Sequence, residues 1–201
     1  MKKKILKTAS SQFIQLGFKS VTMDDIAGAL SISKKTIYEH FANKTALVRA
    51  CVDYVFEEMA VAIKGIQEKE NNPIEGLYEV KKIAIAHMTN SSRSPQFQLQ
   101  KYYPDIYDQL KKRELKTMGK GFKKSLERGI TMGVFRSSID IEFITRLYFN
   151  GIRGLRNPDL FPSEDYQSDE LLENYLDYHL RAIATPKGLE FLEQYNSDKH
   201  I

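Results

Sequence analysis

Ser33, Lys34, Lys35, Thr36, Tyr38, His40 and Lys44 crowd hydroxyl, ammonium, phenol and imidazole groups into one short stretch of the chain. Between Ser31 and Lys44 the apolar positions are few: Ile32, Ile37, Phe41 and Ala42. Such a stretch offers hydrogen bonds and positive charge rather than a core, which suits an anionic partner. The wider charge pattern agrees. Residues 1–50 hold nine Lys/Arg against Asp24, Asp25 and Glu39, a balance of +6 in a chain of net +4, so the rest sums to −2. A basic module in front of a nearly neutral one points to a polyanion for the first quarter of the chain. An anionic membrane fits less well, because the basic stretch has no Trp/Phe-rich face to insert.

The elements that must hold these groups are helices. Ile5, Ala9, Phe13 and Leu16 make one stripe, ended by Gly17 as a C-cap. Thr22 caps a second helix in which Met23, Ile26, Ala27 and Leu30 recur at helical spacing, with Asp24 and Asp25 in its first turn. After a turn at 31–33, Ser33 caps a short third helix over 34–40 that buries Ile37 and Phe41. Asn43 caps a longer fourth helix, whose apolar face includes Leu47, Cys51, Val55 and Ile63. Two helices joined by a short turn behind a bracing helix describe a helix-turn-helix reader of double-stranded DNA. The third helix would enter the major groove, Ser33, Lys34, Lys35 and Thr36 facing bases. Tyr38, His40 and Lys44 would reach phosphates, and Thr22 would stand at the second helix's start, where N–H groups also attract anions. The plainer alternative is a solvated basic helix end; the agreement of turn, caps and charge argues against it.

The stretch "VTMDDIAGALSISKKTIYEHFANKTALV", Val21 to Val48, resembles the DNA-binding signature of the TetR family of bacterial transcriptional regulators. The likeness covers about fifty residues: the Thr cap, Asp-Ile-Ala, the short turn, Thr36-x-Tyr38, Phe41 and Lys44 fall in register. Two positions depart from it. Ser31 stands where glycine is frequent, so a left-handed backbone there costs more. Lys35 stands where a small residue is common, which should alter base preference. The resemblance implies an all-α chain: a three-helix DNA-binding domain over 1–45, then a larger helical ligand-binding and dimerisation domain over 46–201. It also implies a homodimer on a palindromic operator, acting as a repressor released by a small-molecule effector.

Beyond Met59 the sequence is helical on its own terms. Leu77, Val80, Ile83, Ala84 and Met88 line a helix after a break at 71–73, and residues 91–95 read as a loop. Pro104 starts a long helix expected to be interrupted or kinked near Gly119 to Gly121. Further helices are expected over 140–155 and 169–184, and a short one after Pro186. The pair at 140–155 and 169–184 carries apolar residues on more than one face, Leu147 and Leu176 among them, and the resemblance to TetR-like proteins implies that this pair forms the dimer interface. Met88, Phe97, Tyr103, Tyr107, Met118 and Phe122, with Asn150 and Arg153 as polar groups, are the candidate lining of an effector site. Residues of these types at helical spacing also make plain core. The basic run from Lys111 to Arg128 reads as a solvated face.

Other classes have less to stand on. No GxGxxG, P-loop, GxSxG or HExxH pattern is present, so an enzyme is not expected, nor a cofactor or metal. The four histidines are scattered, and His87 and His179 read as satisfied or exposed rather than as ligands or bases. Cys51, the sole cysteine, excludes an internal disulfide and reads as a small buried hydrophobe. No stretch suits a bilayer span and the basic N-terminus lacks a signal-peptide core, so a cytoplasmic protein with no membrane partner is expected. A regulator that is constitutive, or governed by a protein partner instead of a metabolite, is the alternative function.

Overall fold

The computed structural model describes residues 1–69, 72–85 and 95–198. These contain ten helices: α1 (Lys2–Leu16), α2 (Met23–Leu30), α3 (Lys34–Tyr38), α4 (Lys44–Lys69), α5 (Pro73–Ile85), α6 (Pro95–Tyr102), α7 (Pro104–Thr131), α8 (Ile141–Leu155), α9 (Ser168–Ile183) and α10 (Pro186–Asp198). The fold is all-α, as the periodicity predicts. The one β pairing among the described residues is an isolated antiparallel bridge between Phe135 and Ala184. There Arg136 N donates to Ile183 O at 2.9 Å and Thr185 N to Val134 O at 3.0 Å, tying the start of the α7–α8 connection to the end of α9.

The helix starts follow from local chemistry. At α2 the Thr22 hydroxyl accepts from Asp25 N (3.1 Å) while the Asp25 carboxylate accepts from Thr22 N (2.7 Å), a capping box that satisfies two orphan donors. Ser33 Oγ accepts from Thr36 N at 3.1 Å, Asn43 Oδ1 from Ala46 N at 2.8 Å, and Asp140 Oδ1 from Phe143 N at 3.0 Å. Each such cap contributes about 1 kcal/mol. Gly17 ends α1 at φ 86°, where a side chain would be strained.

The chain divides into two compact units, Met1–Met59 with Ser91–Lys112, and Ala60–Asn90 with Arg113–Ile201. The first is built on Ile5, Phe13, Ile26, Ile37, Leu47 and Val48, joined by Leu99 and Ile106 from α6 and α7. Cys51 belongs to this core, and burial pushes its thiol up to about 11, as a small hydrophobe requires. The second unit centres on Ile74, Leu77, Tyr78, Phe122, Leu126, Leu176 and Leu180. Each fully buried Leu or Ile stabilises its unit by about 1.5–3 kcal/mol relative to exposure.

Several elements differ from expectation. The third helix ends at Tyr38, with Glu39 and His40 in the turn that follows. Pro95 begins α6 instead of closing a loop; eight residues with one buried side chain, Leu99, are too few to show a stripe. Residues 91–94 lie outside the described set. The long helix α7 runs unbroken through Gly119 and Gly121. Gly119 lies against Thr145 and Phe149 of α8, so there its missing side chain serves close approach and not a break. The last helix is longer than expected, reaching Asp198, and Tyr195 within it stacks on Tyr78 of α5 at 4.3 Å.

Candidate nucleic-acid interface

The turn between α2 and α3 sets the geometry of the first unit's polar face. Ser31 adopts the left-handed conformation (φ 54°, ψ 40°). Its N–H donates to Gly28 O at 3.1 Å and Ile32 N to Ala27 O at 3.0 Å, the Schellman pattern usually closed by glycine. This is the conformation anticipated for Ser31, held here by the bonds on either side. The chain therefore leaves α2 sharply and α3 starts at once, anchored by Ile37 (0% exposed) and Phe41 (5%).

The outward residues of α3 divide by what they touch. Ser33 and Thr36 share a hydroxyl–hydroxyl bond of 2.9 Å besides their cap, so both are oriented within the protein. Lys34 Nζ lies 2.8 Å from Asp24 Oδ2, an exposed ion pair that raises the lysine's pKa through that hydrogen bond. Lys35 is exposed and, among the described residues, makes no ion pair. Tyr38 is exposed, and exposed His40 sets its ring edge-on to Phe41 at 6.5 Å.

Lys44 opens α4 and is half-buried; burial lowers its pKa, while the Asp25 carboxylate opposes that shift. The Thr22 backbone and hydroxyl bonds, with Lys44 adding charge, hold the Asp25 carboxyl below its ordinary value. Thr22 and Asp25 are thus joined by hydrogen bonds, and the Lys44 ammonium at the start of α4 exerts a favourable charge on the Asp25 carboxylate. Two groups escaped the sequence reading. Asp24 was read only as a first-turn charge, yet it engages Lys34. Lys2 places its ammonium 5.7 Å from the Phe41 ring centre, bringing the lysine-rich start of α1 beside the end of the reading segment. Charge count signalled Lys2; nothing in its spacing did.

The sequence profile of the bacterial regulatory proteins of the tetR family matches residues 5–51, which carry this geometry. Residues 5–51 carry a TetR-family DNA-binding region. The biofilm operon icaADBC HTH-type negative transcriptional regulator IcaR of Staphylococcus aureus is 34% identical over 79 residues, 39% of this chain and 42% of that protein's length. The HTH-type transcriptional regulator YvaF of Bacillus subtilis is 27% identical over 195 residues, 92% of this chain and 96% of its own. In fold the chain resembles the transcriptional regulator FadR of Bacillus subtilis in complex with stearoyl-CoA, with a TM-score of 0.69 at 15% identity, covering 91% of this chain and 100% of that one.

The residues proposed to line an effector site do not all fall in one unit. Tyr103 and Tyr107 pack on the core of the first unit, Tyr103 edge-on to Phe18 at 5.9 Å. Phe97, half-buried in the same unit, lies under the Lys101 ammonium at 6.0 Å. Met88 lies outside the described residues. In the second unit Met118 is half-buried, Asn150 is exposed, and Phe122 is buried with its ring stacked on Tyr148 at 4.3 Å. Arg153 lies 3.8 Å from Glu114, whose carboxyl is raised by burial against the pull of Arg156 and Arg153.

Two readings of α9 are corrected. Leu176 is 0% exposed within its own unit's core, so it is not a surface position. The outward apolar residues of α8 and α9 are Phe143 (60% exposed), Leu147 (46%) and Tyr178 (72%). His179 is neither satisfied nor exposed. It is 4% exposed, its Nε2 has no hydrogen-bond partner, and burial pushes its pKa down to about 4. His87 lies outside the described residues. Sequence could have flagged His179 only as a polar residue on the buried stripe of α9, three residues after Leu176 and one before Leu180.

Among the described residues no helix is long and apolar enough to cross a membrane, and no group of three or more His, Cys, Asp or Glu is placed to hold a metal ion.

Proposed function

We propose that the chain is a transcriptional repressor that binds a palindromic operator as a homodimer and leaves it when a small molecule binds. The 1–45 segment reads DNA in this account, and 46–201 senses the ligand and joins the two copies. The observation that carries the reading is the α3 face: a capped helix held at its turn by Ser31, with Lys34 and Lys35 turned outward.

Each residue then has a task. Lys35 carries an unpaired ammonium toward base edges, where a lysine suits the O6 and N7 acceptors of guanine. Lys34 exchanges Asp24 for a phosphate or base on docking. Ser33 and Thr36 are positioned for base or backbone contact, while Tyr38, His40 and Lys44 hold phosphates, and the α2 start at Thr22 adds its N–H groups. One head contacts too few bases for a unique address, so two related by a two-fold axis read two half-sites. Exposed Phe143, Leu147 and Tyr178 are the apolar surface that a second copy would cover. Repression is supported by the negative regulator IcaR, and ligand control by the similar fold of a FadR that holds stearoyl-CoA. A ligand acts only through its difference in affinity between DNA-competent and incompetent conformations, a coupling of about 1–3 kcal/mol.

Selection of duplexes from a random-sequence pool by the purified protein tests the reading. The expected product is an inverted repeat with half-site centres about one helical turn, or a multiple of it, apart. Recovery of sequences bound no better than the starting pool overturns it.

A further inference from the structure

His179 is the group that the DNA-reading account leaves unused. Its imidazole sits among three rings, Tyr148 at 5.1 Å, Tyr175 at 5.8 Å and Phe122 at 6.2 Å between centroids, drawn from α8, α9 and α7. Phe149 closes the set, edge-on to Tyr148 at 5.5 Å and to Phe122 at 6.1 Å. The Tyr175 hydroxyl is already engaged, donating to the carbonyls of Leu147 and Tyr148 at 3.1 Å each. It is therefore turned away from the imidazole, and Nε2 stays without a partner. A buried nitrogen in that state is costly, and the cost disappears when a guest supplies the missing hydrogen bond.

From this geometry we infer that the second unit takes an uncharged aromatic effector bearing a single hydroxyl, which hydrogen-bonds His179 Nε2 while its ring packs among Phe122, Tyr148 and Tyr175. The class follows from what surrounds the nitrogen. Aromatic neighbours favour a flat ring in offset or edge-on contact. The five side chains that form the set carry no charged group, so an ionised guest would lose its hydration with no counter-charge. Neutral imidazole offers Nε2 as donor or acceptor according to tautomer, and a hydroxyl answers either. Tyr175 is the half-exposed ring of the three that face His179, so a guest entering from outside pushes it aside, breaking its bonds to the α8 backbone, and leaves its ring flanking the guest. The inference rests on the proposed ligand control and gives it a chemical class.

Calorimetric titration of the full chain with 2-naphthol, 2-methylnaphthalene and 2-naphthoate tests it. Wild type should bind 2-naphthol more tightly than either analogue. The His179→Leu variant should lose about tenfold or more of that affinity, the loss expected when one buried hydrogen bond goes. His179→Gln, which keeps a side-chain donor and acceptor, should recover much of it, and 2-methylnaphthalene should not distinguish the variants. Should His179→Leu not fold, the imidazole resonances of wild type serve instead, and must shift on addition of 2-naphthol. Absence of saturable 2-naphthol binding, equal binding in a folded His179→Leu, preference for 2-naphthoate, or unmoved His179 resonances each overturn the inference. Binding through His179 that leaves DNA affinity unchanged upholds the site and overturns ligand control. DNA release by another compound, undiminished in His179→Leu, upholds ligand control and overturns the site.

Discussion

The two units differ in where the polar groups of their candidate sites lie. In the first, caps are answered from within three residues, Thr22 with Asp25, Ser33 with Thr36 and Asn43 with Ala46, and Lys34, Lys35, Tyr38 and His40 face outward. In the second, the polar group of most interest is turned inward, and its neighbours come from three different helices. A reader of DNA meets a long, regular, charged partner, so its groups must be exposed and can be adjacent in sequence. A sensor of a small molecule must enclose its partner, so its groups come together only when distant helices pack. That contrast can be pushed until it breaks, beginning with the largest effect.

Charge placed on α8 and α9 should have two different outcomes. Leu176→Asp buries a carboxylate in the second core and should cost about 4 kcal/mol or more, enough to remove near-UV circular dichroism from that unit. Leu147→Asp with Tyr178→Asp, at exposed positions, should leave the spectrum intact and yield a monomer on sedimentation. A folded dimer from the exposed pair of substitutions would break the assignment of that surface to a second copy.

The buried histidine predicts a pH dependence of the second unit's stability. Its folded pKa of about 4 lies below the ordinary value of 6.5. Unfolding therefore takes up a proton below about pH 6.5, and stability falls as pH drops toward 4, then levels off. Between about pH 7.5 and pH 5 this amounts to roughly 2 kcal/mol. Urea unfolding of wild type should show that loss, and His179→Leu should show less of it by the same amount. Parallel curves for the two proteins would place the imidazole in water.

The smallest effect concerns the turn. Ser31→Gly relieves the left-handed strain but loosens the unfolded chain, and should raise stability by about 0.5–1 kcal/mol in thermal unfolding. A decrease would show that the serine side chain contributes more than its backbone costs.

The same contrast explains what could be read from sequence. Caps, turn and anchors of the first unit are local, so Thr22, Ser31, Ser33, Ile37 and Asn43 announced their structure by type and spacing. The Lys34–Asp24 pair joins two helices across the turn and could not be seen in either alone. Gly119 and Gly121 suggested a break because glycine weakens helices, but close packing of Gly119 on α8 outweighs propensity. Tyr103 and Tyr107 looked like pocket residues from composition, while the structure packs them on the first unit's core. His179 was passed over because one histidine on an apolar stripe is usually satisfied, and only three-dimensional packing shows that this one is not.

The central claim is that α3 reads bases through Lys35 while Lys44 holds the backbone. Fluorescence anisotropy of the selected duplex, titrated across a salt series with wild type, Lys35→Ala and Lys44→Ala, tests it most directly. Lys44→Ala should weaken binding about equally on all sequences and flatten the salt slope by roughly one unit per head. Lys35→Ala should cost about 1–3 kcal/mol on the selected site and much less on duplexes changed at the contacted base pair. If both variants keep wild-type affinity and salt dependence on every duplex, α3 is not the reading helix.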